Sequence, residues 1–315
     1  MKPFLIPLLL LLALLRPASA TPGGPLRVVA TTTFVGDTVR RVAGPDVNLA
    51  VLLPPNLDPH AYEPSPRDAV TLAGADVVFL NGLGLERFLD DLLKTAGEGR
   101  APARVVSVSE GIAAHRLTEH EDEHEGAAEH DHGEHHHGEF DPHVWFNPLH
   151  VATWTENIER TLSELDPAHA AAYAERAAAY RAELRQLDQR VQEAVAAVPP
   201  ERRRFVTDHE EFGYFAERYG FEVVGALIPS VSTLAEPSAF ELAQLERTMK
   251  AAHARIIVVG DAGRDALAQR LARDTGTRVV ALYTCALGAP GSPAATYVDY
   301  MESNVRRLVD ALLAP

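Results

Sequence analysis

The chain has 315 residues and a formal net charge of −15, from 44 acidic and 29 basic side chains. Such an acidic balance argues against nucleic acid and anionic lipid as partners and suits a cationic ligand. A chain of this length is longer than a domain with one hydrophobic core usually is, so we expect two domains. Its only cysteine, Cys285, excludes an intramolecular disulfide.

The first 20 residues have the pattern of a cleavable secretory signal peptide: Lys2, an apolar run from Phe4 to Leu15, and then Ala-Ser-Ala. The run is too short to span a bilayer, and no later stretch approaches the roughly 20 apolar residues that a membrane helix needs. No cysteine lies near the expected cleavage site before Thr21. We therefore expect a chain that is free in the periplasm, with no lipid anchor and no direct membrane insertion.

Beyond this segment, short β-branched runs alternate with amphipathic helical stretches as far as residue 109, and a second such series starts at residue 203. This rhythm predicts parallel sheets covered by helices. The expected fold class is α/β, with two parallel-sheet, Rossmann-like lobes. We predict an N-terminal lobe over residues 21–165 and a C-terminal lobe over residues 200–315.

Between the two series lies a histidine-rich tract over residues 115–138. The chain has 14 histidines, and eight of them fall between His115 and His137, interleaved with acidic residues. Imidazole is the commonest neutral ligand of zinc and of the transition metals close to it, and carboxylates attract an incoming cation. The composition therefore favours a protein that handles a transition metal, although a solvated linker without function remains an open alternative.

Residues 166–199 predict one long, rigid helix that joins the lobes. Asp166 as N-cap and Pro167 in the first turn indicate its start, and two prolines after Val198 indicate its end. Apolar residues recur at helical spacing along it: Tyr173, Tyr180, Leu184, Leu187, Val191 and Val195. We expect a rod of roughly 50 Å packed along both lobes of a monomer, in preference to a coiled-coil dimer.

Three histidines outside the tract stand in loops where an α/β lobe places ligands: His60, His143 and His209. The first two share the tripeptide Asp-Pro-His, in which proline fixes the backbone and aspartate can accept the second imidazole N–H or cap the loop. Each histidine alone is consistent with a hydrogen-bonded loop residue. Together they predict a metal site between the lobes.

Longer motifs extend over nearly the whole mature chain: ATTTFVGDTVRRVAG, LDPHAYEPSPRD, DVVFLNGLGLERFL, DPHVWFNP, TDHEEFGYFAERYG, AEPSA and TYVDYMESNV. With them the chain resembles the metal-binding solute receptors of bacterial zinc and manganese ABC importers. The resemblance implies two α/β lobes joined by a rigid helix, with the metal held by His60, His143 and His209. It also implies an acidic, histidine-rich loop, as in many of the zinc-handling members.

The fourth ligand departs from the pattern that the resemblance implies. The family commonly has an aspartate or glutamate in the loop after the last strand, where this chain reads LYTCALG, so the matching residue is Cys285. A thiolate favours Zn²⁺ or Cu⁺ over Mn²⁺ or Fe²⁺, and with three imidazoles it completes a tetrahedral zinc set. The alternative is an inert cysteine, with water or Asp261 near the metal.

The expected function is high-affinity capture of Zn²⁺ in the periplasm and delivery to an ABC permease in the inner membrane. Mn²⁺ is the less favoured ion, and a Mn²⁺ or Fe²⁺ receptor of the same family is the first alternative. The others are a buffer that works through the tract alone and a zinc hydrolase with Glu210 or Glu211 as its base. We expect no enzyme, because a four-ligand site leaves no open position for a reacting water.

Overall fold

The computed structural model describes residues 24–95, 103–117, 140–260 and 265–314. The expected signal peptide, the tract beyond residue 117 and Asp261 lie outside these described residues. Within them, no helix combines the length and the apolar character that crossing a membrane requires.

The N-terminal sheet has four parallel strands in the order β2-β1-β3-β4. They are β1 (Leu26–Ala30), β2 (Val47–Val51), β3 (Val77–Leu80) and β4 (Arg104–Ser107). The crossover helices are α1 (Thr33–Ala43), α2 (Pro66–Ala73) and α3 (Asp90–Thr95). In register, the central Val28 lies opposite Leu49 on one side and Val77 on the other. Such runs of valine are typical of parallel strands that helices cover on both faces.

The C-terminal sheet repeats this topology, with four parallel strands in the order β6-β5-β7-β8. They are β5 (Arg204–Thr207), β6 (Glu222–Ala226), β7 (Ile256–Val259) and β8 (Arg278–Ala281). The helices are α6 (Gly213–Tyr219), α7 (Ala239–Ala252), α8 (Asp265–Thr275) and α9 (Tyr297–Leu313). The expected α/β class with two parallel-sheet lobes is thereby confirmed.

Two helices lie between the two sheets in chain order, α4 (Pro148–Leu165) and α5 (Ala170–Ala196). The 27 residues of α5 make a helix of roughly 40 Å, shorter than predicted. The expected N-cap was wrong: Asp166 is the C-cap of α4, because its backbone N–H still bonds to the carbonyl of Leu162. Its carboxylate nevertheless supports the start of α5, accepting hydrogen bonds from His169 Nδ1 at 2.6 Å and Tyr173 Oη at 2.8 Å.

The apolar stripe of α5 is buried as predicted, at all six positions from Tyr173 to Val195. Helix α5 packs against α1, α4 and α9. One continuous hydrophobic cluster includes Val28 of the first sheet, Leu184 of α5 and Ile256 of the second sheet. The apolar face that a coiled-coil dimer would need is therefore covered within the chain.

The segment before α4 is the seam where the two lobes meet. Trp145 donates from Nε1 to the carbonyl of Thr284 at 3.1 Å, and Tyr297 Oη donates to the carbonyl of Trp145 at 2.6 Å. Tyr214 Oη donates to the carbonyl of Asp141 at 2.7 Å. These bonds hold the segment around the second Asp-Pro-His tripeptide against α6, α9 and the loop after β8.

Candidate metal centre

The three histidines singled out in the sequence converge at this seam. Nε2 of His143 lies 3.1 Å from Nε2 of His60 and 3.4 Å from Nε2 of His209. A tetrahedral zinc ion with Zn–N bonds of roughly 2.0–2.1 Å separates its nitrogen ligands by roughly 3.3–3.4 Å. These two distances are close to that spacing, and ligand atoms of all three imidazoles lie within 4.8 Å of one another.

The shared tripeptide positions two of these rings by the same local device. Asp58 Oδ1 accepts the backbone N–H of His60 at 2.9 Å, in the 3-10 turn that follows β2. Asp141 Oδ1 accepts the backbone N–H of His143 at 2.9 Å, immediately before the 3-10 turn that leads into α4. The expected capping role of both aspartates is confirmed, and each turn presents its imidazole to the seam.

Carboxylates also set which nitrogen of His143 and of His209 faces the centre. His143 Nδ1 donates to Asp141 Oδ1 at 2.8 Å, and His209 Nδ1 donates to Asp208 Oδ1 at 2.9 Å. Because a carboxylate only accepts, the proton resides on Nδ1 and the lone pair on Nε2. The Nε2 lone pairs of His143 and His209 are thus available to a cation at the centre.

Both rings with resolved pKa shifts are neutral at pH 7. Burial, and then the charges that His143 and His209 would carry, lower the pKa of His60 well below 6.5. Burial also lowers the pKa of His143, although Asp141 opposes the shift. Neutral imidazole is the form that binds a metal, so these rings suit a cation.

Cys285 lies beside this triad rather than within it. Its sulfur falls within 4.8 Å of ligand atoms of His209 and Glu211 in one group and of Asp58 and His60 in another, but the group that unites the three imidazoles does not include it. Burial, followed by the charges of Glu211 and Asp58, raises the pKa of the thiol well above 9.0. Metal-free Cys285 is therefore a neutral thiol at pH 7.

Two supporting residues escaped the sequence reasoning. Asp208 orients His209 and also accepts the backbone N–H of Gly260 at 2.9 Å; its position directly before the histidine was the available signal. Thr233 hydrogen-bonds to Asp58 at 2.6 Å across 175 residues. No sequence pattern points to that contact, because only the fold brings the two residues together.

With this geometry established, comparison with known proteins identifies what the chain is similar to. The profile of a family described as zinc-uptake complex component A, periplasmic (ZnuA), matches residues 28–311. The chain is 33% identical over 304 residues to the zinc-binding protein TroA of Treponema pallidum, covering 93% of this chain and 91% of the relative. It is 30% identical over 291 residues to the manganese-binding lipoprotein MntA of Halalkalibacterium halodurans, covering 92% and 89%.

Solved structures show the same fold. The periplasmic zinc-binding protein TroA from Treponema pallidum superposes with a TM-score of 0.78 at 30% identity, covering 93% of this chain and all of that one. A manganese-bound periplasmic metal-binding protein from Candidatus Liberibacter asiaticus, in a single-residue variant, gives a TM-score of 0.78 at 25% identity, covering 91% and 99%.

The relatives correct one expectation, that of a chain free in the periplasm. The MntA proteins of Halalkalibacterium halodurans and Bacillus subtilis and the ScbA protein of Streptococcus cristatus are named lipoproteins. A lipid anchor holds a protein at the membrane surface through its buried methylene groups, which is compatible with delivery to a permease. The prediction of an unanchored protein, drawn from cysteine placement, was therefore wrong.

Proposed function

The chain belongs to the metal-binding solute-binding proteins of ABC importers, and from this premise we propose that it captures Zn²⁺ with high affinity and delivers it to an ABC permease. Members of this family are solute-binding proteins rather than enzymes, which sets the zinc hydrolase aside. The metal is thus cargo that must be both held and released.

The observation that carries the proposal is the convergence of the three imidazoles, whose ligand atoms lie within 4.8 Å of one another. We propose His60, His143 and His209 as ligands, with Cys285 as a further donor. The carboxylates behind His143 and His209 support this assignment, because metal-binding histidines almost always donate their second N–H to such a partner. A site closed by protein ligands binds an ion without activating a water.

The proposed preference for zinc rests on donor chemistry. Imidazole suits several first-row metals, whereas a thiolate selects Zn²⁺ or Cu⁺ over harder ions such as Mn²⁺. The names of the relatives include both a zinc-binding and a manganese-binding protein. Manganese is therefore the competing candidate, and Cys285 is the residue that favours zinc.

We further propose that the chain acts as a monomer, with lobes over residues 21–165 and 200–315 and a rigid connection over residues 166–199. The support is that the apolar stripe of α5 is buried within the chain. A stiff helix resists hinge bending, so metal binding should chiefly move the ligand loops rather than close the lobes.

The test is an equilibrium competition on the purified, metal-stripped protein. Dialysis against Zn²⁺ with a large molar excess of Mn²⁺, followed by elemental analysis, should leave one tightly held zinc per chain. Retention of Mn²⁺ in place of zinc would establish the competing candidate, and retention of neither ion would refute the receptor proposal.

A further inference from the structure

Glu211 is a buried acidic residue that the triad does not explain. It is 1% exposed, and neither carboxylate oxygen has a hydrogen-bond partner among the residues that the structure describes. Burying a carboxyl group without a partner costs free energy, and burying a charged one costs far more. A buried group that is unfavourable in this way points to a function that offsets the cost.

The carboxylate of Glu211 lies beside His209 and Cys285. Its Oε2 is 3.6 Å from Nε2 of His209, and its ligand atom lies within 4.8 Å of both His209 and the sulfur of Cys285. Two donors on one tetrahedral ion, with bonds of roughly 2.0–2.2 Å, are separated by roughly 3.3–3.6 Å. Glu211 therefore already stands at donor-to-donor distance from His209.

The surroundings of Glu211 favour a cation. Asp208 lies close enough to the buried carboxyl group of Glu211 that negative charges on the two side chains would repel each other. Asp58 and Asp141 add to the repulsion. A divalent ion reverses this penalty by turning the mutual repulsion of the carboxylates into attraction to a shared positive charge.

We propose that Glu211 is a direct ligand of the transported ion, placing Oε2 beside His209 and Cys285 and supplying negative charge that three neutral imidazoles lack. This inference rests on the proposed function. It places two unlike donors next to each other, the hard carboxylate of Glu211 and the soft thiol of Cys285. Because Mn²⁺ prefers carboxylate oxygen, Glu211 contributes more to manganese binding than to zinc binding.

The test compares Glu211→Gln, which removes the charge and keeps the shape, with Glu210→Gln at the adjacent, exposed glutamate. Zinc affinity should fall about 100-fold in E211Q. This equals the largest loss expected when a residue that only supports a metal ligand is changed. Manganese affinity should fall further. E210Q should bind both ions like the wild type. Glu211→Asp, which keeps the charge but withdraws the oxygen by one methylene, should also bind weakly if contact rather than charge alone is required.

Two readouts separate ligation from a structural role. The unfolding temperature of metal-free E211Q should equal or exceed that of the wild type, since a costly buried acid has been removed, while the stabilisation that zinc confers should shrink. The visible absorption bands of bound Co²⁺ should change in E211Q and not in E210Q. Should E211Q fail to fold, Glu211→Leu provides the same readouts.

Wild-type affinity for Zn²⁺ and Mn²⁺ in E211Q, with an unchanged Co²⁺ spectrum, would overturn the inference and leave the receptor proposal intact. A lowered unfolding temperature of metal-free E211Q with normal affinity would assign Glu211 a structural role instead. A wild-type chain that binds no metal would instead refute the proposed function itself.

Discussion

Thr233, in the loop between β6 and α7, donates a hydrogen bond of 2.6 Å from Oγ1 to Oδ2 of Asp58 in the opposite lobe. The other oxygen of Asp58 accepts the backbone N–H of His60. The loop that presents His60 is thus fastened by a residue of the second lobe, so the geometry of the centre depends on how the two lobes are docked.

Thr233→Val should therefore weaken zinc binding by about 10-fold, because Asp58 loses a hydrogen-bond partner and the His60 loop becomes less rigid. This is the smaller end of the range expected for residues that support a metal ligand without contacting the metal. Titration against a competing chelator measures the change. The matched control is Thr248→Val on α7, whose hydroxyl donates to the carbonyl of Gln244 in its own helix. Equal losses in both variants would contradict a specific role for the Thr233 contact.

Cys285 should be protected from alkylation by zinc, because binding ties up the sulfur. Mass spectrometry of protein treated with an alkylating agent, with and without Zn²⁺, measures the protection. Cys285→Asp should also shift the preference from zinc toward Mn²⁺, since the soft donor has become a hard one. Equal labelling with and without metal, together with unchanged selectivity in C285D, would remove Cys285 from the ligand set.

Zinc affinity should depend on pH in two ways. Burial lowers the pKa of His60 and His143, so protons should compete for these rings only below about 6.5, the ordinary value. The raised pKa of Cys285 means that zinc displaces a thiol proton at neutral pH, so affinity should rise with pH there. Cys285→Ser should release about one proton fewer. Affinity that stayed flat from about pH 7.5 to about 5 would contradict both effects.

Removal of the histidine-rich tract should abolish weak zinc binding and spare the tight site. The deletion should begin after residue 117, because His115 belongs to the folded part: its carbonyl accepts the backbone N–H of Asp141 at 2.9 Å, and its own N–H bonds to Tyr214 Oη. Calorimetry of a chain lacking residues 118–139 should show fewer zinc equivalents with the tight one unchanged. Loss of the tight equivalent would show that tract and centre are one site.

The features that the sequence predicted well depend on residues that are close together in the chain. The order of strands and helices follows from hydrophobic periodicity, and the two Asp-Pro-His turns present their rings as expected because their hydrogen bonds span only two residues. The convergence of His60 and His209 followed from their positions in loops at the carboxyl ends of parallel strands, and His143 joins them from the segment before α4.

What it missed depends on packing between distant segments. Glu210 and Glu211 are indistinguishable in a sequence, yet one is exposed and the other fully buried beside His209. An aspartate such as Asp166 can lie at either end of a helix, and in this fold it is the C-cap of α4. The bond from Thr233 to Asp58 has no local signature at all.

The central claim is that His60, His143 and His209 bind one ion together, and the most direct test is the zinc affinity of the three single alanine variants. The zinc affinity of each variant should fall by well over about 100-fold, which is more than the loss expected when a residue that only supports a ligand is changed. The control, His169→Ala at the start of α5, should bind zinc like the wild type. Near-wild-type affinity in all three variants would contradict the claim.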